Sequence, residues 1–154
     1  MEIADLLGPG SVIASLKATS KKQALQELAK RAATLTSLHE RVLFDALWER
    51  ERLGSTGMGL GTAIPHGKIA GLNRLVGLFA RLERPIDFQA VDDRPVDLIF
   101  VLLAPEDAGA DHLKALARIS RLFRERAICE KLRGTDSVDA LTALLTDRAA
   151  SHAA

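Results

Sequence analysis

Val96 to Leu103 reads VDLIFVLL, apolar at every position except Asp97. Side chains of a strand point alternately to its two faces, so a run without polar alternation needs cover on both sides. That requirement excludes a sheet with one wet face and demands helices above and below it. The 154 residues suffice for one domain with a full core, and residues 1–146 read as that domain. Residues 147–154 carry no apolar pattern and are expected to fray.

The remaining segments supply the cover. Residues 3–7 have room for one helical turn before Gly8-Pro9-Gly10 stops it. Val12, Ile13 and Leu16 fit a short strand within Ser11 to Ala18. Ser20 and Gln23 have capping-box spacing and open a helix with Ala24, Leu25, Leu28, Ala29, Ala32 and Leu35 on its stripe. Ser37-Leu38-His39-Glu40 reads as a second capping box, followed by the stripe Leu43, Ala46, Leu47 and Leu53 with Gly54 as the stop. Leu75 to Leu82 is a further strand. Only two prolines and no helical period separate it from Val96, which predicts antiparallel neighbours. After a loop, Asp111 is placed to cap a helix with the stripe Leu113, Leu116, Ala117, Ser120 and Phe123. A short helix with Ile128, Cys129 and Leu132 ends at Gly134. A last one, capped by Asp136 or Ser137, turns Val138, Leu141, Leu144 and Leu145 inward. The order is strand, two helices, three strands, three helices: an α/β chain built on a mixed sheet.

Charge and cysteine content narrow the function classes. Lys+Arg 21 against Asp+Glu 20 leaves a net charge of +1, which argues against a nucleic-acid footprint. Cys129 stands alone, so neither a disulfide framework nor a thiolate zinc cluster is on offer. No apolar run reaches membrane-span length, and MEIADLLGPG lacks the pattern of a signal peptide. A cytoplasmic protein with no membrane insertion is expected.

Chemistry concentrates in Gly54 to Lys68, GSTGMGLGTAIPHGK. Glycines let backbone approach a ligand closely, so Ser55, Thr56, Gly57, Gly59 and Gly67 are expected to form an anion-binding loop. Pro65 restricts its own φ and extends Ile64, which leaves His66 between a stiff residue and a permissive one. A neutral imidazole has a free lone pair and is a nucleophile. The spacing fits no P-loop, since Gly61 precedes Gly67-Lys68 by five residues and Ile69 follows. The order helix, glycines, strand is also the reverse of a dinucleotide fingerprint. Arg50 sits on the apolar side of its helix, either covering core edge with its stem or aiming its guanidinium at the loop. Glu49, Glu51 and Arg52 read as surface charges. His112 falls at a helix start, where a neutral ring could offer one N–H to a phosphoryl oxygen. His39 and His152 lie in a capping turn and in the tail. No HExxH or Gly-x-Ser-x-Gly motif occurs, and no metal or cofactor site is expected. A neutral histidine, an arginine, a second histidine and an N–H-rich loop are the parts that phosphoryl transfer to histidine needs.

RERLGSTGMGLGTAIPHGK, Arg50 to Lys68, resembles the active-site signature of the IIA proteins of the mannitol/fructose type in the bacterial phosphoenolpyruvate-dependent phosphotransferase system. The nitrogen-regulatory branch of that family is the most similar, and the likeness runs from DLLGPGSVIASLKATSKKQAL to the last helix. The resemblance implies a three-layer α-β-α sandwich around a mixed sheet and no cofactor. It also implies phosphorylation of His66 at Nε2 by a phosphohistidine carrier of the HPr type, with Arg50 and His112 as the accompanying active-site residues. The regulatory branch implies targets such as potassium-transport systems or sensor kinases. A sugar-specific IIA protein passing phosphate to a IIB domain and a non-catalytic binding domain are the alternatives.

Overall fold

A computed structural model describes residues 1–147, so the expected tail lies outside the described residues from position 148 onward. In chain order the elements are α1 (Ile3–Leu6), β1 (Val12–Leu16), α2 (Lys21–Thr36), α3 (Glu40–Leu53), β2 (Gly57–Gly59), β3 (Thr62–Ala63), β4 (His66–Ile69), β5 (Val76–Ile86), β6 (Val96–Pro105), α4 (Ala110–Arg124), α5 (Arg126–Arg133) and α6 (Val138–Thr146). Between α3 and α4 the sequence order has three strands, whereas the structure has five, because residues 57–69 supply three short ones.

The sheet runs β1-β5-β6-β3-β2, with β4 paired to β6 beyond β3. It is mixed: β1/β5, β3/β6 and β4/β6 are parallel, while β5/β6 and β2/β3 are antiparallel. The apolar run of β6 is central, as its composition demands. Ile99, Val101 and Leu103 face a core shared with α2 and α3. Leu98, Phe100 and Leu102 face a second core with α1, α4, α5 and α6. The result is an open three-layer α-β-α sandwich.

Helix starts and phases depart from expectation at several points, each for a local reason. Ser37 adopts φ 60° and closes α2 through its N–H on the Ala33 carbonyl, so it cannot serve as the extended cap of α3. His39 takes that place, its Nδ1 accepting the Arg41 N–H at 3.0 Å. Asp111 lies inside the first turn of α4, because the helix already begins after Gly109. The stripe of α4 is Ala115, Ile119, Leu122 and Phe123, which leaves Leu113 exposed. In α3 the buried line is Leu43, Leu47 and Glu51, while Leu53 stands 85% exposed. Val138 is likewise exposed, whereas Leu141 and Leu145 are buried as expected.

Candidate functional site

β3 and β4 lie end to end along the same side of β6, separated only by Ile64-Pro65. Thr62 and Ala63 pair with Leu98 and Ile99, and His66 resumes the register at Leu102. Proline has no N–H to give, but its carbonyl still accepts the Leu102 N–H at 2.9 Å, which holds the break in line with the sheet. The histidine therefore starts a strand on the most deeply buried element of the molecule.

Its ring is held as firmly as its backbone. Nδ1 lies 2.8 Å from the Ile64 carbonyl oxygen. A carbonyl only accepts, so Nδ1 carries the proton and Nε2 keeps the lone pair in the neutral ring. Burial pushes the His66 pKa below the ordinary imidazole value. The Ile64 bond opposes this shift, whereas the charges of Arg50 and His112 add to it and that of Glu51 offsets part of it. The neutral, nucleophilic form is thus favoured.

A cavity of about 390 Å³ opens beside the ring, lined by His66, Gly67 and Lys68 of β4, Leu102 and Ala104 of β6, Ala46, Glu49, Arg50 and Leu53 of α3, and His112 of α4. Arg50 comes from the last turn of α3 and donates from Nη1 to the Gly54 carbonyl at 2.8 Å, its one hydrogen bond among the described residues. Of the two sequence readings of Arg50, the structure takes the guanidinium at the loop. His112 stands in the first turn of α4, and its Nδ1 lies 2.7 Å from the Gly109 carbonyl oxygen. By the same acceptor argument the neutral His112 ring has only a lone pair left at Nε2. To donate toward a phosphoryl oxygen it must carry a second proton, which changes the expectation of a neutral donor.

The glycine-rich stretch divides. Gly67 lines the cavity, while Ser55, Thr56, Gly57 and Gly59 do not. The Ser55 hydroxyl donates to the Phe88 carbonyl at 2.8 Å and accepts the Gly57 N–H at 3.0 Å. Thr56 spends both its N–H and its hydroxyl on Glu51. Gly57 packs so tightly on Ala90 that an added Cβ would stand 2.7 Å from that residue's Cβ. Gly59, at φ 96°, ends β2 beside Asp92, just before the Leu60-Gly61 turn. These donors bind the hairpin to the protein and are not aimed at the mouth of the cavity.

Two participants escape the sequence reading. Lys68 lies two residues beyond His66 on an extended strand, hence on the same face, a signal available from period-two spacing. Glu51, read as a surface charge, is buried. Its position four residues after Leu47 and eight after Leu43 was the clue. A larger groove of about 630 Å³ between α2 and α3 has charged walls, and its one histidine, His39, spends Nδ1 on capping. No cluster of metal-ligating side chains occurs among the described residues. Nor does any helix among them have the length and apolarity to cross a membrane.

Known proteins with this architecture carry the same arrangement of elements. The family described as "Phosphoenolpyruvate-dependent sugar phosphotransferase system, EIIA 2" matches residues 5–148. A nitrogen regulatory protein of Bradyrhizobium diazoefficiens is 57% identical over 145 residues, covering 94% of this chain and 95% of that one. The crystal structure of the nitrogen regulatory protein IIA-Ntr from Neisseria meningitidis superposes with a TM-score of 0.89 at 38% identity, over 94% and 99% of the two chains. A fructose-specific EIIA component of Haloferax volcanii is more distant, at 35% identity over 83% of this chain and 84% of its own. The match over nearly the whole chain, on the fold described, makes this protein a member of the EIIA type-2 family of the phosphoenolpyruvate-dependent phosphotransferase system.

Proposed function

We propose that His66 accepts a phosphoryl group at Nε2 from a phosphohistidine carrier protein of the HPr type, and that its phosphorylation state governs binding to regulatory targets. The observation that carries this reading is the Nδ1 bond to the Ile64 carbonyl, which leaves the Nε2 lone pair of a cavity-lining ring for attack on phosphorus. In the transfer the Nε2 lone pair forms the new N–P bond as the carrier's N–P bond breaks. No proton has to leave Nε2, and the positive charge that develops on the ring is met by the Ile64 oxygen through Nδ1–H. Arg50 and Lys68 offset the charge of the incoming group, and a doubly protonated His112 donates to one of its oxygens.

The 57% identity to a nitrogen regulatory protein favours a regulatory role over passage of phosphate to a IIB domain. Potassium-transport systems and sensor kinases are the target classes of that role. Incubation with phosphoenolpyruvate, the first enzyme of the pathway and its carrier should add one acid-labile phosphoryl group. The label should vanish in His66→Ala; label that persists in that variant rejects the assignment.

A further inference from the structure

Glu51 is the one charged residue buried among the described residues, and its partners come from two segments, the first turn of α2 and the stretch that follows α3. It accepts the Thr56 N–H at 3.1 Å and the Thr56 hydroxyl at 2.5 Å. Lys21 Nζ, from the first turn of α2, donates to it at 3.2 Å and reaches Gln89 Oε1 at 2.7 Å. Its side chain is 1% exposed and that of Lys21 is 13% exposed. A buried ion pair of this kind repays its desolvation poorly as a source of stability, so some other use for it is to be expected.

From Thr56 the bonding continues in two directions. Toward α3, the turn from Arg50 to Thr56 is closed on one side by the Glu51 carboxylate and on the other by the Arg50 guanidinium on the Gly54 carbonyl. Toward β4, the Thr56 carbonyl accepts the Ile64 N–H at 3.0 Å, and the Ile64 carbonyl in turn holds His66 Nδ1 at 2.8 Å. Thr56 is the one residue bonded to Glu51 that also links to both the Arg50 turn and the His66 tether.

We infer that Glu51 and Thr56 are positioning residues that set Arg50 and His66 at their working separation, with Lys21 neutralising the carboxylate that anchors them. The inference rests on the reading of His66 as the phosphoryl acceptor, and neither residue touches the reacting atoms. Loss of the anchor displaces the guanidinium and the imidazole together. A displacement of about 1 Å in a transfer site costs up to about a hundredfold in rate.

The test uses the full chain with Glu51→Gln, Thr56→Val, Thr56→Ser, Arg50→Ala and the Glu51→Gln/Arg50→Ala pair. Rapid-quench uptake from phosphorylated carrier gives maximal rate and half-saturation separately, and NMR of the unphosphorylated protein follows the Arg50 Nε–H and His66 Nδ1–H signals. Glu51→Gln and Thr56→Val should each lower the maximal rate about ten- to a hundredfold with half-saturation little changed. Thr56→Ser, which keeps the hydroxyl, should retain the wild-type rate. The paired variant should lose less than the product of its two single losses, because Glu51 acts partly through Arg50. Both signals should shift in Thr56→Val, which preserves shape, and stay in place in Thr56→Ser. Unmoved signals, wild-type maximal rates or fully multiplicative losses each overturn the inference. Failure of the wild-type protein to take up a phosphoryl group would reject the reading of His66 instead, and the two signals would still judge the placement.

Discussion

His66 and His112 share one device: each ring gives its Nδ1 proton to a nearby upstream carbonyl, Ile64 in one case and Gly109 in the other. The consequences are opposite, because a nucleophile needs the lone pair at Nε2 and a donor needs a proton there. For the proposed transfer His66 has to offer the Nε2 lone pair, whereas His112 can donate from Nε2 only with a proton on each ring nitrogen. Burial lowers the His66 pKa, so protonation of the nucleophile limits the rate only below about pH 6.5, the ordinary imidazole value. The rate should therefore fall on the acid side of the pH profile, and His112→Ala should leave that acid limb in place; an acid limb that disappears in this variant would contradict His66 as its source. The same lowered pKa has a stability sign: the folded state binds fewer protons at His66 than the unfolded one, so its contribution is present above about pH 6.5 and is lost as pH falls. Arg50→Ala and His112→Ala should each slow uptake by about ten- to a hundredfold, since a charge-assisted hydrogen bond is worth roughly 1.5–3 kcal/mol. Arg50→Lys should recover part of the loss, because a point charge does not reproduce the planar fork. Rapid-quench rates on these variants read the difference.

Elements show why some features were legible in the sequence and others were not. β6 was legible because its composition admits one environment, and the start of α2 because Ser20 caps it by accepting the Gln23 N–H, although the Gln23 side chain accepts from Thr19 instead of closing the expected box. The site histidines and Arg50 stood out by their neighbours in the chain. The roles of Thr56 and Glu51 did not, because a backbone N–H facing a buried carboxylate depends on where α2, α3 and the loop after β5 meet. The α4 stripe was misphased since Leu113, Ala115, Leu116 and Ile119 offer two apolar lines, and tertiary packing chose the second. In α3, Leu47 lies on the buried line beside Glu51 and is 1% exposed, so Leu47→Ala should destabilise the fold by about 2–5 kcal/mol, measured by denaturant titration. Leu53→Ala, on the exposed line of the same helix, should change stability by less than about 0.5 kcal/mol. Equal losses at the two positions would contradict the assigned face.

At the scale of the whole molecule, phosphorylation should act as a local change of charge with little rearrangement. The net charge of the chain is only +1, so a phosphohistidine alters the potential around the cavity strongly. Both cores are continuous, and among the described residues no buried side-chain polar atom lacks a partner, which leaves little slack for a second packing. Amide shifts on phosphorylation should therefore concentrate at residues 54–68 and 112–116; shifts spread through α6 would contradict this. The division of the cores has one more consequence. Arg50 belongs to a helix on one face of the sheet and His112 to a helix on the other, so the site is a caliper whose jaws are opposite layers and whose fixed rule is β4 on β6. No single element sets the gap between the jaws. Subtle repacking in either core, far from the cavity, should therefore change the jaw spacing, and the proposed phosphoryl uptake would then serve as a strain gauge for the interior of the protein.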